Sequence, residues 1–337
     1  MRIKFNVKFD QIIDFENLLD AWKEFLKGRK RKPDVQLFQK HLMDNIFSLH
    51  DDLFSHTYRH GGYQAFNISD PKPRKIHKAR VRDRLFHRAI YRQLYPFFDK
   101  TFVACSFSCR NSRGTFRAIK DFCSASYKVS KNNTKTCWVL KGDVKKFFAN
   151  IDHQILFEIL TKYIPDQDIL WLLKEIIGSF HTKAGIGLPL GNLTSQLFAN
   201  IYLNEFDQFV KHQIKAKYYL RYADDFVLLS ADKAWLKQQI PLIKNFLWEK
   251  LRLILHPQKV FIKTFSSGVD FLGWVNFPRH KVIRTSTKKR LIKRIRINPK
   301  PETVASYLGL LKHGNTYKLQ REILGKISQK NKKSANI

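Results

Sequence analysis

Along the first third of the chain, apolar residues recur three and four positions apart. Ile12, Ile13, Phe15, Leu18, Leu19, Trp22, Phe25 and Leu26 form one stripe, which predicts an amphipathic helix ending before the basic run 28–32. A second helix is predicted over Val35 to Phe54. From Tyr58 to Ala79 the pattern changes to alternating positions around two glycines and two prolines, which reads as a strand, a turn and a returning strand. That places Arg74, Lys75, Lys78 and Arg80 on or beside a hairpin. The helical period returns from Arg82 to Phe98, with Leu85, Ile90, Leu94 and Phe97 or Phe98 turned inward.

Further on, TCWVLKGDVKKFF is a short apolar strand that ends in Asp143 and turns toward a helix after Asp152. YYLRYADDFVLLS, Tyr218 to Ser230, is aromatic and β-branched on both sides of two adjacent acids, the pattern of a hairpin with Asp224 and Asp225 near its turn. A helix over Lys233 to Leu251 follows, then strands around Lys259 to Phe265 and Val269 to Val275. Strand, helix, hairpin, helix, strand suits an α+β sheet covered on one face. Only the tail after Gln329 lacks a pattern and is expected to be disordered.

Charge changes this picture. The 337 residues carry 62 Lys plus Arg against 28 Asp plus Glu, a formal net charge of +34. Such an excess repels itself unless it meets a polyanion, and nucleic acid, which releases counterions on binding, is the leading partner. The excess concentrates at the end of the chain, where residues 284–337 hold fifteen basic residues against two acids. No run reaches the 18 or so apolar residues of a spanning helix, and the N-terminus is not that of a signal peptide. A cytoplasmic protein without a membrane partner is expected. Cys105, Cys109, Cys123 and Cys137 match no zinc spacing and read as reduced structural thiols.

Asp143 lies 81 residues before Asp224, so the three acids can meet only through the fold. Paired acids inside an apolar hairpin are costly to bury without a metal or a cationic partner. Magnesium takes hard oxygen ligands, and two ions about 4 Å apart stabilise the attacking and leaving oxygens of an in-line phosphoryl transfer.

Tyr222-Ala223-Asp224-Asp225 resembles the YxDD box of reverse transcriptases, and KGDVKKFFANIDHQIL, Lys141 to Leu156, resembles their first metal-binding motif. PKPRKIHKARVRDRLFH (Pro71 to His87), FSCRNSRGTFRAI (Phe107 to Ile119), GIGLPLGNLTSQLFANIYLN (Gly185 to Asn204), HPQKV (His256 to Val260) and FLGW (Phe271 to Trp274) are similar to the remaining blocks, in the family's order. The resemblance implies a right-hand polymerase: a helical N-terminus and fingers over 1–133, a ferredoxin-like palm sheet over 134–283 and a basic thumb over 284–337. It also implies that Asp143, Asp224 and Asp225 are catalytic metal ligands for two Mg²⁺, with Mn²⁺ as substitute and the Val144 carbonyl as a further donor. Arg74 and Arg80 would reach the triphosphate, and Phe148 stands at the steric gate that excludes a 2′-hydroxyl. Leu190, Gly191 and Gln196 would lie along the nucleotide, with Asn192 and Ser195 as weaker candidates. Lys288, Lys289, Arg290, Lys293, Arg294 and Arg296 would grip an RNA–DNA heteroduplex through phosphates.

Ser195-Gln196 is similar to the variant found in reverse transcriptases of diversity-generating retroelements, bacterial, archaeal or phage-encoded. These copy a template-repeat RNA from deoxynucleotide triphosphates, err at adenines and work with a small basic accessory variability protein that is oligomeric. Leu190 stands where accurate relatives often carry Gln, and Ala223 is smaller than the Met or Val usual at its position. No maturase or endonuclease domain is expected after Ile337. The alternatives are a retron, group II intron-like or defence-associated enzyme, or a catalytically silent RNA-binding scaffold.

Overall fold

The computed structural model describes residues 3–69, 73–297 and 300–334. Pro71 and Lys72 of the basic hairpin segment, and the last three residues of the expected disordered tail, lie outside the described residues. The N-terminal third forms α1 (Phe9–Ile13), α2 (Phe15–Phe25), α3 (Pro33–Lys40) and α4 (Leu42–Phe54), so each predicted helix is in fact two. Asp14 makes the first break: at φ −50°, ψ 142° its side chain accepts from Glu16 N at 2.9 Å and caps α2. His41, at φ −121° and ψ 46°, makes the second. The hairpin is β1 (Tyr63–Ile68) and β2 (Arg74–Ala79), with Tyr63 opposite Ala79. Arg80 then caps α5 (Val81–Thr101), whose Leu85, Ile90, Leu94 and Phe98 are buried, and α6 (Thr115–Val129) follows.

The central unit runs β3 (Trp138–Asp143), α7 (His153–Thr161), α8 (Gln167–Gly178), α9 (Leu193–Gln208), β4 (Tyr218–Tyr222), β5 (Asp225–Ser230), α10 (Lys233–Leu251) and β6 (Phe261–Thr264). Its sheet is antiparallel in the order β4-β5-β3-β6, so the first strand lies inside, between a strand of the hairpin and the last strand. The sheet is covered on both faces, where the sequence suggested one. Leu140, Leu228 and Tyr219 belong to the main core with Phe206, Ile243 and Leu247 of α9 and α10. Val139, Val227, Leu220 and Leu229 turn the other way, onto Phe122 of α6, Phe265 and Phe271. Apolar residues at successive positions of β3 and β5 are what double coverage requires.

The expected strand over Val269 to Val275 is a hairpin instead. β7 (Val269–Phe271) and β8 (Trp274–Asn276) turn at Leu272 and Gly273, φ +53° and +87°, and β9 (Lys281–Ile283) completes a three-stranded antiparallel sheet. Three helices end the chain: α11 (Thr285–Ile297), α12 (Pro301–Leu311) and α13 (Tyr317–Ser334), the last continuing as helix into the segment expected to be disordered. Their own core joins Leu291, Ile295 and Leu311 to Trp274 and to Ile119 of α6.

Gly142 in β3 sits opposite Phe226 in β5, and a Cβ there would stand 2.2 Å from the Phe226 ring. That ring is buried and packs edge-on against Phe206 at 5.1 Å, so it has nowhere to go. Gly142→Ala is expected to destabilise the fold by about 1–3 kcal/mol through overpacking. A urea midpoint unchanged from the parent would show that Phe226 has room to move.

Candidate active site

β3 ends in Asp143 and β5 begins with Asp225, and register sets the two directly opposite each other, where neighbouring Cβ atoms lie about 5 Å apart. Asp224 occupies the two-residue turn between β4 and β5, and its carbonyl accepts from Val144 N at 3.3 Å. The fold thus gathers all three acids at one sheet end. On the other side His256 N donates to the Asp143 carbonyl at 2.8 Å and Lys145 N to that of Ile254 at 2.9 Å, splinting the strand end.

The turn carries strain: Ala223 has φ +53°, a left-handed value that costs a residue with a Cβ about 1–2 kcal/mol. Arg221 holds it, donating from Nη1 to the Ala223 carbonyl at 3.0 Å. Arg221 is itself fully buried. It binds Asp207 of α9 through Nε and Nη2 at 2.7 and 2.6 Å, Ser106 Oγ at 3.0 Å and Asn200 Oδ1 at 3.3 Å, while Tyr219 donates to the same Asp207 at 2.6 Å.

Burial, and next the nearby Asp143 carboxylate, push the Asp224 pKa up to about 6. Asp225 is raised too, chiefly by burial, against the pull of Lys141. Lys259 Nζ donates to Asp143 Oδ1 at 2.8 Å, and Lys141 Nζ stands 3.5 Å from Asp225 Oδ1 while donating to the Asp270 carbonyl at 3.0 Å. Among the described residues no group of three or more His, Cys, Asp and Glu side chains forms a ready-made metal cage. The crowded carboxylates are met by two ammonium groups, whose positive charge offsets their mutual repulsion. The donor set, three hard carboxylate oxygen ligands, suits divalent ions such as magnesium.

Phe148 is half-buried and edge-on to Phe147 at 5.4 Å, and its carbonyl accepts from Leu188 N at 2.7 Å. The loop Leu188–Asn192 therefore starts at Phe148. It then reaches the hairpin: His77 N donates to the half-buried Leu190 carbonyl at 2.9 Å, and Asn192 Nδ2 donates to the His77 carbonyl at 2.8 Å. Gly191 has φ +107°, and a Cβ there would meet Ile76 of β2 at 2.7 Å, so this glycine lets the hairpin close on the loop. Gln196 is half-buried in the first turn of α9, and Ser195 is buried beside it. Arg74 and Arg80 are exposed, on that hairpin and beside it. Lys288, Lys289, Lys293, Arg294 and Arg296 are exposed on α11 and Arg290 is half-buried, while Leu291 and Ile295 anchor the helix. Sequence reasoning missed Lys259, Lys141, Arg221 and Asp207. Arg221 and Lys141 gave a signal, each as a charge within an apolar strand that needs a buried partner, and Lys259 lies in the HPQKV block.

Comparison with known proteins bears on this site. The family described as Reverse transcriptase (RNA-dependent DNA polymerase) matches residues 69–275. The chain is similar to Protein YkfC of Escherichia coli, with 26% identity over 75% of this chain and 74% of that protein. It is also similar to the group II intron-encoded protein LtrA of Lactococcus lactis, with 24% identity over 61% of this chain and 45% of that protein. A third relative is the putative COX1/OXI3 intron 2 protein of Saccharomyces cerevisiae, 20% identical over 64% of this chain and 30% of that protein. The chain thus spans less than half the length of these two intron proteins. Among the described residues no helix is long and apolar enough to cross a membrane.

The raised Asp224 pKa has a consequence for stability. The unfolded chain releases this proton near the ordinary 3.8 and the folded chain near 6, so the folded protein binds more protons between them and loses stability as pH rises through that window. Asp224→Asn removes the cost. In chelator at pH 7.5 the variant is expected to be more stable than the parent by about 1 kcal/mol, after discounting for partial exposure, with the difference gone near pH 4. Thermal melts across that range check it, and a variant less stable at pH 7.5 would refute the sign.

Proposed function

The chain belongs to the reverse transcriptase (RNA-dependent DNA polymerase) family, and on that premise we propose that Asp143, Asp224 and Asp225 form its polymerase active site. The observation that carries this reading is the convergence of the three acids at one turn, with Lys259 and Lys141 supplying the positive charge they demand. Residues 134–283 act as a palm with a ferredoxin-like sheet, which the order β4-β5-β3-β6 supports. Residues 1–133 are the helical N-terminus and fingers, and 284–337 the basic thumb.

In the reaction of this family the 3′ oxygen of a primer bonds to the α-phosphorus of a deoxynucleotide and pyrophosphate leaves. Reverse transcriptases use divalent metals such as Mg²⁺, which when bound supply Lewis acidity and charge neutralisation; Mn²⁺ is the expected substitute. Asp143, Asp224 and Asp225 would hold the ions, with the Val144 carbonyl as a further donor and with Lys259 and Lys141 yielding their places. Phe148 lies beneath the sugar as a steric wall, and Leu190, Gly191 and Gln196 line the nucleotide. Arg74 and Arg80 meet the triphosphate from the fingers. The basic residues of α11, Lys288 to Arg296, hold the heteroduplex through phosphates.

The specific role we propose is synthesis of cDNA from a template-repeat RNA in a diversity-generating retroelement, error-prone at adenines and assisted by a small basic oligomeric protein. Ser195-Gln196 and Leu190 support it. A second reading, a group II intron-like or free-standing reverse transcriptase, is favoured by the relatives named for a group II intron and for the COX1/OXI3 intron 2.

Asp224→Asn should abolish Mg²⁺-dependent primer extension, by at least about a thousandfold, while RNA affinity stays within about twofold, because it removes an ion ligand and leaves the basic grip. Near-normal extension by this variant would sink the assignment. Phe148→Ala should admit ribonucleotides, narrowing discrimination by about tenfold or more, since a wall that excludes by bulk loses that power when truncated. Competition between ribo- and deoxynucleotide incorporation reads this out; unchanged selectivity would make Phe148 a packing residue.

A further inference from the structure

The β7–β9 sheet and the helices after it share one core. Trp274 of β8 is buried with Leu291 and Ile295 of α11 and Leu311 of α12. Gly314, in the loop between α12 and α13, lies so close to the same ring that a Cβ would stand 2.0 Å from it. Arg284, the residue before α11, ties this body to β7: its N–H donates to the Gly273 carbonyl at 3.0 Å, and its guanidinium pairs with the Asp270 carboxylate. β7 is thus anchored at Asp270 to the start of the basic helix.

Asp270 faces two ways. Its side chain takes Arg284, and its carbonyl accepts from Lys141 Nζ at 3.0 Å. Lys141 lies in β3 two residues before Asp143, on the same face, and its ammonium also stands 3.5 Å from Asp225 Oδ1. One positive charge is therefore divided between a candidate metal ligand and a carbonyl of another sheet, with the Phe271 ring centre 5.9 Å away. The shorter contact is to the carbonyl. Lys259, the other ammonium at the acids, has a side chain 47% exposed and can yield its place to water. That of Lys141 is 10% exposed, and a buried ammonium leaves one acceptor only for another. The Asp270 carbonyl is that acceptor. The more firmly Asp270 is held, the more the ammonium stays with it and the less it competes for Asp225.

We propose that Lys141 is a positioning residue whose place is set by the Arg284–Asp270 anchor, so that the seating of β7 on α11 governs how readily Asp225 takes a divalent cation. The inference rests on the polymerase reading for the role of the acids. It adds to that reading a path by which the basic C-terminal helices bear on the acids without touching them.

The test is Mn²⁺ binding by the full chain without nucleic acid, read from the electron paramagnetic resonance signal of the free ion. The binding that Asp224→Asn removes defines the site. Arg284→Gln should weaken that binding about threefold, although loss of a positive charge would by its field alone tighten it. Lys141→Met should bind about tenfold more tightly, because a competing cation is gone. In the Lys141→Met background Arg284→Gln should no longer weaken binding, the non-additivity expected of a shared path. In Lys141→Arg, which keeps the charge, the weakening should persist. If Lys141→Met melts at room temperature, Lys141→Gln replaces it with the same expectation. An Arg284→Gln protein with unchanged or tighter Mn²⁺ binding overturns the proposal, and so does an equal weakening with and without the Lys141 ammonium. No turnover enters these readings. Mn²⁺ binding that Asp224→Asn leaves whole removes the metal reading of the acids and this coupling together, while acid-dependent binding with additive variants removes the coupling alone.

Discussion

A bidentate ion pair sealed from water, Arg221 on Asp207, underlies the whole acid-bearing end of this molecule. Taking two charges out of water costs several kcal/mol each, and the attraction between them offsets that only if every remaining donor and acceptor is answered. Here they are answered, by Ser106, Asn200, Tyr219 and the Ala223 carbonyl. The consequence is geometric. β4, α9 and the segment after α5 are tied to one guanidinium, and the same guanidinium holds a left-handed alanine in a turn beside like charges that repel. An apolar replacement of similar volume can match the stability of such a pair, but it cannot grip a carbonyl in the turn. The charge is thus kept for the position it fixes.

The sheet contributes the second constraint, which is register. Val139, Lys141 and Asp143 share one face of β3, and Asp225, Val227 and Leu229 share the matching face of β5. Slipping either strand by one residue would send its acid to the side of α9 and α10 and turn its apolar residues inside out. Because both faces are buried, neither slip can be tolerated, and the cores themselves set Asp143 against Asp225. Gly142 shows how tight this is, its missing side chain being replaced by the Phe226 ring.

Much of this was legible in the chain. α10 starts and stops at Lys233 and Leu251, as its apolar period indicates, and the strands carrying Asp143 and Asp225 fall where apolar runs meet acids. The helix breaks at Asp14 and His41 were not legible, since an apolar stripe continues across a cap as readily as across a turn. Nor was the covering of the second sheet face, because a run such as FVLLS reads the same whichever elements pack on it. The pairing of lysines with the carboxylates was hidden for another reason: Lys259 stands in the HPQKV block, but it lies 116 residues from Asp143 and nothing local says which acid it meets. Partnership across such separations is a property of topology.

Topology also couples the two sides of the candidate site. The five residues from Leu188 to Asn192 are bonded through backbone to Phe148 at one end and to β2 at the other, with Gly191 closing against Ile76. A hairpin swing about its base at Ala79 would therefore pull on Leu190 and, through Leu188, on the floor beneath Phe148. The hairpin itself is held elsewhere by few apolar contacts: Phe66 is 45% exposed, and most of β1 faces solvent. An element with little buried surface opens at low free energy, whereas the Arg221 pair and the doubly covered sheet do not. Motion in this protein should then be confined to the side that carries Arg74 and Arg80, leaving the acids stationary while the loop under Phe148 adjusts.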